Sequence, residues 1–186
     1  MNTKMASRRV KDLMVSLDEC PLVSEDTTLG EAVLALEEAQ RNLPEGRQPY
    51  RAVLVIDEKK RIVGKIGQLA ILRALEPRYD VLGDLESLSA AGVSEEFVSS
   101  MMEHYRFFQE ELPNLCSRAG RLLVKEVMRP VKQCIDEEAT LREAIHKIVM
   151  WQTLSILVTR GTEVVGLLRL SDLFDAIAAQ LKTVAS

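Results

Sequence analysis

The sequence predicts an α/β protein of the α+β type, built from two pseudo-symmetric strand–helix–strand–strand–helix (βαββα) units with a helical segment inserted between them. The main observation is an internal repeat, because internal repeats define the architecture of a chain before any local pattern does. Three segments recur in the same order: "VKDLM" at 10–14 as "VKEVM" at 124–128, "TLGEA" at 28–32 as "TLREA" at 140–144, and "IVGKIGQLAIL" at 62–72 as "VVGLLRLSDLF" at 164–174. We therefore divide the chain into repeat one (7–78), an inter-repeat segment (79–120) and repeat two (121–182).

The first helix of each unit starts at the "TLxEA" segment. Thr28 and Thr140 are each followed three residues later by Glu, which is the capping-box pattern of a helix start. Apolar residues then recur at the three-and-four spacing of one buried helix face. The predicted buried positions are Leu29, Ala32, Val33 and Leu36 in repeat one, and Leu141, Ala144, Ile145, Ile148 and Val149 in repeat two.

A hairpin of two apolar strands follows each of these helices, and a second helix closes each unit. The strands are "YRAVLVID" and "KKRIVGKIG" in repeat one, and "LSILVT" and "TEVVGLLR" in repeat two. Short polar turns join each pair. The closing helices are predicted at 68–75 and 171–181, with Ser171 as the cap of the second. Repeat one has ten extra residues before its hairpin, in a loop that contains "NLPEGRQPY" at 42–50.

The inter-repeat segment is too long for a simple connection, so we expect it to have structure of its own. "SEEFVSSMMEHYRFFQEEL" at 94–112 has a capping Ser followed by an apolar stripe that includes Phe97, Met101 and Tyr105. Pro113 is expected to end this helix. The stripe either covers the module's own surface or docks a partner. We predict that its three named residues are mostly buried, within the chain or within a dimer.

Composition excludes several classes of function. The net charge of −4 argues against nucleic-acid binding, which usually requires a basic face. Three cysteines without a close pair indicate neither a metal cluster nor a disulfide framework. No nucleophile–base constellation and no glycine-rich phosphate loop is recognisable, so we expect no catalytic residues and no enzyme activity. No apolar run approaches the ~18 residues that span a bilayer, and the first residues lack a signal-peptide pattern, so we expect a cytoplasmic protein.

The two repeats, each introduced by "VK[DE]hM" (h, apolar) and completed by "VG", an apolar strand and a helix, resemble a tandem pair of CBS (cystathionine β-synthase) domains, also called a Bateman module. The resemblance covers roughly residues 7–78 and 121–182. It implies that the two units pack sheet to sheet with approximate two-fold symmetry and leave two clefts, which in the family often hold adenine nucleotides. It also implies a homodimer, because CBS pairs commonly associate through their helices and two-fold pairing is the commonest symmetry.

The resemblance points to one ligand-binding carboxylate. In the family motif a Gly is followed three residues later by Thr or Ser and six residues later by an Asp that binds both ribose hydroxyls. The matching positions are Gly166, Arg169 and Asp172 in repeat two, and Gly64, Gly67 and Ala70 in repeat one. A carboxylate suits a vicinal diol because it offers two acceptor oxygens. The alternative is that Asp172 only complements the dipole of the last helix from its first turn.

The resemblance further implies that a ligand beside Asp172 touches the other repeat at residues 15–21 and at the start of its second strand, which is Tyr50, Arg51 and Ala52. Arg51 and Arg169 are then candidates for phosphate contact by position. The alternative for both is a solvated arginine at a strand end.

Two hypotheses follow. The first is a regulatory module that needs no cofactor, senses AMP, ADP, ATP or S-adenosylmethionine beside Asp172, and signals through the inter-repeat helices to a separate protein, since the sequence shows no output domain. The second is a ligand-free dimerisation or scaffold module with degenerate clefts.

Overall fold

The computed structural model describes residues 7–76, 94–104, 110–131 and 133–185. Its strands are β1 (Val15–Ser16), β2 (Leu22–Ser24), β3 (Ala52–Ile56), β4 (Ile62–Gly67), β5 (Arg129–Pro130), β6 (Cys134–Asp136), β7 (Ser155–Arg160) and β8 (Glu163–Arg169). Its helices are α1 (Leu29–Arg41), α2 (Gln68–Leu75), α3 (Glu95–His104), α4 (Leu112–Ala119), α5 (Val124–Val127), α6 (Leu141–Trp151) and α7 (Leu170–Ala185). The predicted α/β fold class is confirmed.

The strands form two four-stranded sheets in the orders β1-β8-β7-β6 and β2-β3-β4-β5. Each sheet contains a parallel pair, β2 with β3 or β6 with β7, next to the antiparallel hairpin predicted from the sequence. The fourth strand of each sheet comes from the other half of the chain. Val15 in β1 pairs with Leu167 in β8, and Arg129 in β5 pairs with Lys65 in β4. The two repeats therefore exchange short edge strands, which the sequence analysis did not predict.

The "VK" motif explains this exchange, because each copy binds the helix start of the opposite repeat. The Val10 amide donates to the Ala139 carbonyl at 3.0 Å, just before α6. In the same way the Val124 amide donates to the Thr27 carbonyl at 2.8 Å, just before α1. Both valine side chains are fully buried. The motif thus positions the residues that follow it to pair with the other repeat's sheet.

The glycine shared by the two hairpins is required where the exchanged strand passes. A Cβ atom at Gly166 would lie 2.4 Å from the Val15 carbonyl oxygen, and one at Gly64 would lie 2.7 Å from the Arg129 carbonyl oxygen. Real Cβ atoms do not approach backbone oxygen this closely, so any side chain there would force the edge strand away from the sheet.

The helix starts agree with the capping pattern. Thr28 Oγ1 accepts from the Glu31 amide at 3.3 Å, and Glu31 Oε2 accepts from the Thr28 amide at 2.9 Å. Thr140 Oγ1 likewise accepts from the Glu143 amide at 3.2 Å. Helix α7 begins at Leu170, so Ser171 is not its cap, and both Ser171 and Asp172 lie in its first turn.

The predicted buried helix faces are partly confirmed. Leu29, Ala32 and Leu36 are buried in α1, and Leu141, Ala144 and Ile148 are buried in α6. Val33 is half-buried. The prediction was wrong for two positions of α6, since Ile145 is 38% exposed and Val149 is 66% exposed. These two lie at the edge of the apolar stripe rather than at its centre, which Leu141, Ala144 and Ile148 form.

The inter-repeat segment is helical where it is described. Pro113 lies in the first turn of α4, a position that tolerates proline because the amide there has no helical partner. Leu115 and Ala119 are buried, and α4 packs against α2. In α3, Phe97 is 55% exposed, so it is not buried within the chain as one form of the prediction required, and Met101 is half-buried. Tyr105 lies outside the described residues.

The two sheets share one buried cluster, and a second cluster packs Ile156, Val158 and Leu168 of the β1-β8-β7-β6 sheet against α6. Val53, Val55 and Ile66 from one sheet lie in the same buried cluster as Leu157 and Leu167 from the other. Among the described residues, no helix is long and apolar enough to cross a membrane.

Candidate functional site

Two clefts lie between the repeats, where β3 and β7 begin. Cleft one is a cavity of about 360 Å³ whose wall includes Arg51, Leu154, Leu167, Arg169 and Phe174. Cleft two is a smaller cavity of about 60 Å³ whose wall includes Arg51, Lys65, Gly67, Ala70, Arg129 and Ser155. Arg51, Ala52, Leu154 and Ser155 line both. The clefts therefore adjoin each other, as the two-fold pseudo-symmetry requires.

The Asp172 carboxylate is bound by Arg169 in a bidentate ion pair. The Arg169 Nε lies 2.5 Å from Asp172 Oδ2, and its Nη2 lies 2.8 Å from Oδ1. The two side chains are only 9% and 17% exposed. Arg169 belongs to the wall of cleft one, whereas Asp172 is not among the described residues that line it. The guanidinium thus occupies acceptor atoms that the resemblance assigned to a ribose.

The inserted loop of repeat one holds Arg169 in place from the opposite side. The Gln48 carbonyl accepts from Arg169 Nη1 at 2.7 Å, and the Gln48 side chain donates to Asp175 Oδ2 at 2.9 Å. The Arg169 guanidinium also lies 5.8 Å from the centre of the Tyr50 ring, within range of a cation–π contact. The ten-residue insertion seen in the sequence therefore contacts Arg169, which belongs to the wall of cleft one.

Tyr50 is anchored at both ends. Its ring is buried, and its hydroxyl donates to the Glu19 carbonyl. Burial raises the pKa of Tyr50 above its usual value. The phenol therefore stays protonated at neutral pH, and burial and its hydrogen bond fix the position of the ring beside Arg169.

The structure brings the predicted site residues together in two groups. In the first group, Arg169 on β8 binds Asp172 on α7 and lies over the ring of Tyr50 in the inserted loop. Arg51 and Ala52 line the cavity from repeat one, with Arg51 exposed and Ala52 buried. Gln48 was missed by the sequence analysis, because its contact with Arg169 is through a backbone carbonyl that any residue type could supply.

Cleft two has a different chemistry, which the sequence analysis also missed. Lys65 Nζ donates to the Ser155 carbonyl and lies 2.9 Å from Ser155 Oγ. Burial, with a smaller contribution from the Arg129 charge, lowers the pKa of Lys65 to about 8. The sequence did contain a signal for this, because Lys65 stands opposite Leu167 in the aligned repeats.

The cysteines differ in their surroundings rather than forming a pair. Cys20 is buried, and burial raises the pKa of its thiol to about 12. Cys116 is exposed and Cys134 is half-buried, and both are reduced like Cys20. The equivalence of Cys20 and Cys134 in the repeats is thus one of position and not of environment.

Comparison with known proteins gives a consistent result. The sequence profile of the CBS domain family matches residues 10–77 and 124–179, about two thirds of the chain. No curated protein matches the sequence.

Several solved structures share the fold. The crystal structure of CBSX2 in complex with AMP is 15% identical and has a TM-score of 0.58, with 94% of this chain and 98% of that chain covered. The CBS-pair protein CBSX2 from Arabidopsis thaliana is 18% identical with a TM-score of 0.57, covering 95% and 98%. A CBS domain-containing protein of unknown function from Bacillus anthracis str. Ames Ancestor is 17% identical with a TM-score of 0.63, covering 96% and 99%. At these identities the likeness shows the fold.

Proposed function

The chain belongs to the CBS domain family, and from this premise we propose that it is a regulatory module that binds an adenosine-type nucleotide in cleft one and signals to a separate protein through the inter-repeat helices. The observation that carries the proposal is the size and lining of cleft one. At about 360 Å³ the cavity falls in the range of small-molecule sites, roughly 300–1,000 Å³. CBSX2, which shares the fold, binds AMP, and this supports an adenosine-type ligand.

The lining of cleft one offers partners for the base and the phosphate of a nucleotide, and Asp172, which is bonded to the lining residue Arg169, offers one for the ribose. Leu154, Leu167 and Phe174 supply apolar surface for a flat base. Arg51 is exposed at the rim, where a guanidinium can bind a phosphate in bidentate fashion. Asp172 is the acceptor for the ribose hydroxyls. An ionised carboxylate has about four acceptor positions, and Arg169 uses two of them.

The second candidate function is a ligand-free dimerisation or scaffold module. The observation that favours it is the bidentate bond from Arg169, which already satisfies both oxygens of Asp172. Gly67 and Ala70 in cleft two likewise offer no side chain for a ribose. In this alternative, Arg169 and Asp172 fasten repeat two to the inserted loop of repeat one.

We propose a homodimer in either case. Large apolar side chains are exposed on four helices of the repeats: Leu34 on α1, Leu72 on α2, Val149 on α6 and Leu181 on α7. Exposed apolar patches of this kind mark interaction surfaces. Light scattering at micromolar concentration should give twice the chain mass, and Val149→Glu should reduce it, whereas Arg142→Glu on an exposed site of the same helix should not. A monomer mass for the unaltered protein would contradict the dimer.

The nucleotide proposal is tested with protein stripped of bound ligand by unfolding and refolding. A nucleotide at one hundred times its Kd stabilises the folded state by about 2.7 kcal/mol. For a chain of this size that raises the melting temperature by about 5 to 10 °C. We expect such a rise with at least one of AMP, ADP, ATP or S-adenosylmethionine. Asp172→Ala should remove most of it, whereas Asp136→Ala, at an exposed carboxylate elsewhere in repeat two, should not.

The possible outcomes separate the two functions. The absence of any rise with all four ligands at millimolar concentration would contradict the sensor and leave the scaffold. A rise that survives Asp172→Ala would retain the sensor but place the ribose elsewhere.

A further inference from the structure

The two clefts differ in charge at positions that the pseudo-symmetry makes equivalent. In cleft one the exchanged strand places Val15 opposite Leu167, and both are buried apolar residues. In cleft two the equivalent strands place Arg129 opposite Lys65. An apolar cross-strand pair in one repeat thus corresponds to two cations in the other.

Among the described residues, no carboxylate balances the cations of cleft two. Like charges directly opposite each other on neighbouring strands destabilise a sheet. Arg51 adds a third cation to the same wall, and no Asp or Glu is among the described residues that line it. In the described part of the chain, none of the three forms an ion pair with a carboxylate. The hydrogen bonds of Lys65 to the described residues go to neutral oxygens of Ser155.

We propose that cleft two binds a phosphate-type oxyanion between Arg51, Lys65 and Arg129. Guanidinium groups match the geometry of phosphate oxygens, and a lysine ammonium adds a point charge. The cavity of about 60 Å³ is far below the size of nucleoside sites but fits a compact ion.

This site gives a physical reason for the asymmetry of the repeats. A carboxylate at position 70, where repeat one has Ala70, would repel an anion in this small cleft. Gly67 likewise keeps the backbone of the cleft clear of side-chain atoms. In this proposal, the loss of the ribose-binding pattern in repeat one means that cleft two binds a different ligand, and not that it binds none.

Two sources can supply the same phosphoryl chemistry. One is a free inorganic oxyanion. The other is the phosphate of a nucleotide whose base lies in cleft one, because Arg51 and Ser155 line both clefts. The proposal does not depend on nucleotide binding, since the three cations line cleft two whether or not cleft one is occupied.

Calorimetric titration with inorganic phosphate tests the site, at an ionic strength held constant with sodium chloride. We expect saturable binding by the full chain. Arg129→Gln, at an exposed position that folding tolerates, should weaken binding at least tenfold, the usual loss for one charge-assisted hydrogen bond. Arg142→Gln is the control, because it removes an exposed cation far from the cleft. Binding no stronger than that of chloride, or full affinity in Arg129→Gln, would overturn the proposal.

Parallel titrations with adenosine and AMP identify the source. Phosphate binding without binding of adenosine or AMP supports the anion site and counts against the nucleotide proposal. AMP binding that is weakened by Arg129→Gln, when free phosphate binds only weakly, assigns the site to a nucleotide phosphate. AMP binding that Arg129→Gln leaves unchanged, with no binding of free phosphate, overturns the anion site and leaves the nucleotide proposal standing.

The protonation of Lys65 provides an independent readout. Without an anion, its pKa is lowered to about 8 from an unfolded value of 10.5. Between these values the unfolded chain binds the proton and the folded chain has released it, so stability should rise with pH from about 8 to 10.5. A bound anion raises the pKa again. Phosphate should therefore flatten this rise, and phosphate binding at pH 8.5 should take up protons.

Lys65→Met completes this test because it removes the titrating group without removing the side-chain stem. This variant should lack the rise of stability above pH 8 and should bind phosphate without proton uptake. A rise that phosphate leaves unchanged in the wild type would contradict the placement of the anion beside Lys65.

Discussion

Replacing Arg169 with threonine restores the family pattern of Gly, Thr and Asp at Gly166 and Asp172, and it frees the carboxylate of Asp172. Exposed ion pairs contribute about 0.2 to 1 kcal/mol, whereas breaking a buried pair by removing one partner costs about 3 to 5 kcal/mol. The Arg169 and Asp172 side chains are 9% and 17% exposed. We therefore assign their pair about 2 kcal/mol, between the two limits. A ligand that must displace Arg169 from Asp172 loses this free energy, which is a factor of about 30 in Kd.

Arg169→Thr should therefore bind AMP about 30-fold more tightly than the wild type, although the empty variant should melt about 4 to 8 °C lower. Calorimetry on ligand-stripped proteins measures the affinity, and scanning calorimetry measures the melting temperature. Arg160→Thr is the matched control, because Arg160 also forms a bidentate pair, with Glu137, but outside both clefts. If the wild type and Arg169→Thr bind AMP equally, Arg169 does not compete for the ribose site. If neither binds, cleft one is not a nucleotide site.

Two further predictions concern close packing and thiol reactivity. Gly166→Ala should lower the free energy of unfolding, measured in urea, by about 3 kcal/mol because the new Cβ meets a backbone oxygen. Gly67→Ala is the control: the nearest neighbours of its Cβ would be at 3.7 and 3.9 Å, so the free energy of unfolding should change by less than about 0.5 kcal/mol. Equal losses in the two variants would contradict the close-approach argument. At pH 8 a thiol reagent should modify the exposed Cys116 quickly. Cys20 should stay unmodified in the folded protein, because with a pKa of about 12 only about one Cys20 thiol in ten thousand is ionised at this pH. Mass spectrometry after digestion measures both rates, and similar rates would disprove the burial of Cys20.

The helices and hairpins of the two units could be predicted from the sequence because each is encoded by a pattern only a few residues long. The capping boxes at Thr28 and Thr140 and the apolar hairpins were read correctly from spacing alone. The strand exchange was not, because strands of two residues carry no periodicity and their partners lie in the other repeat. The exposure of Val149 was also missed, since periodicity does not distinguish a side chain that faces the core from one that faces solvent beside it.

In the candidate site, too, the local features were predicted and the long-range contacts were not. Asp172 and Arg169 were both identified from the sequence, and their spacing of three residues allows them to meet on one turn. The further contacts of Arg169 with the Gln48 carbonyl and the Tyr50 ring were not predicted, because these groups approach from more than one hundred residues away in the chain. The roles of Asp172, Arg169, Arg51, Tyr50 and Ala52 toward a ligand, and the boundaries of the three segments, remain predictions.

The exchanged edge strands also determine how this chain can fold. Val15 finds its partner Leu167 only across 152 residues of sequence, and contacts of such long range slow the search for the native state. During synthesis β1 therefore leaves the ribosome long before β8 exists. Repeat one also lacks its own edge strand until Arg129 has been made. We expect neither half to be stable when expressed alone, and we expect a mixture of the two halves to restore the fold, because each supplies the strand that the other lacks.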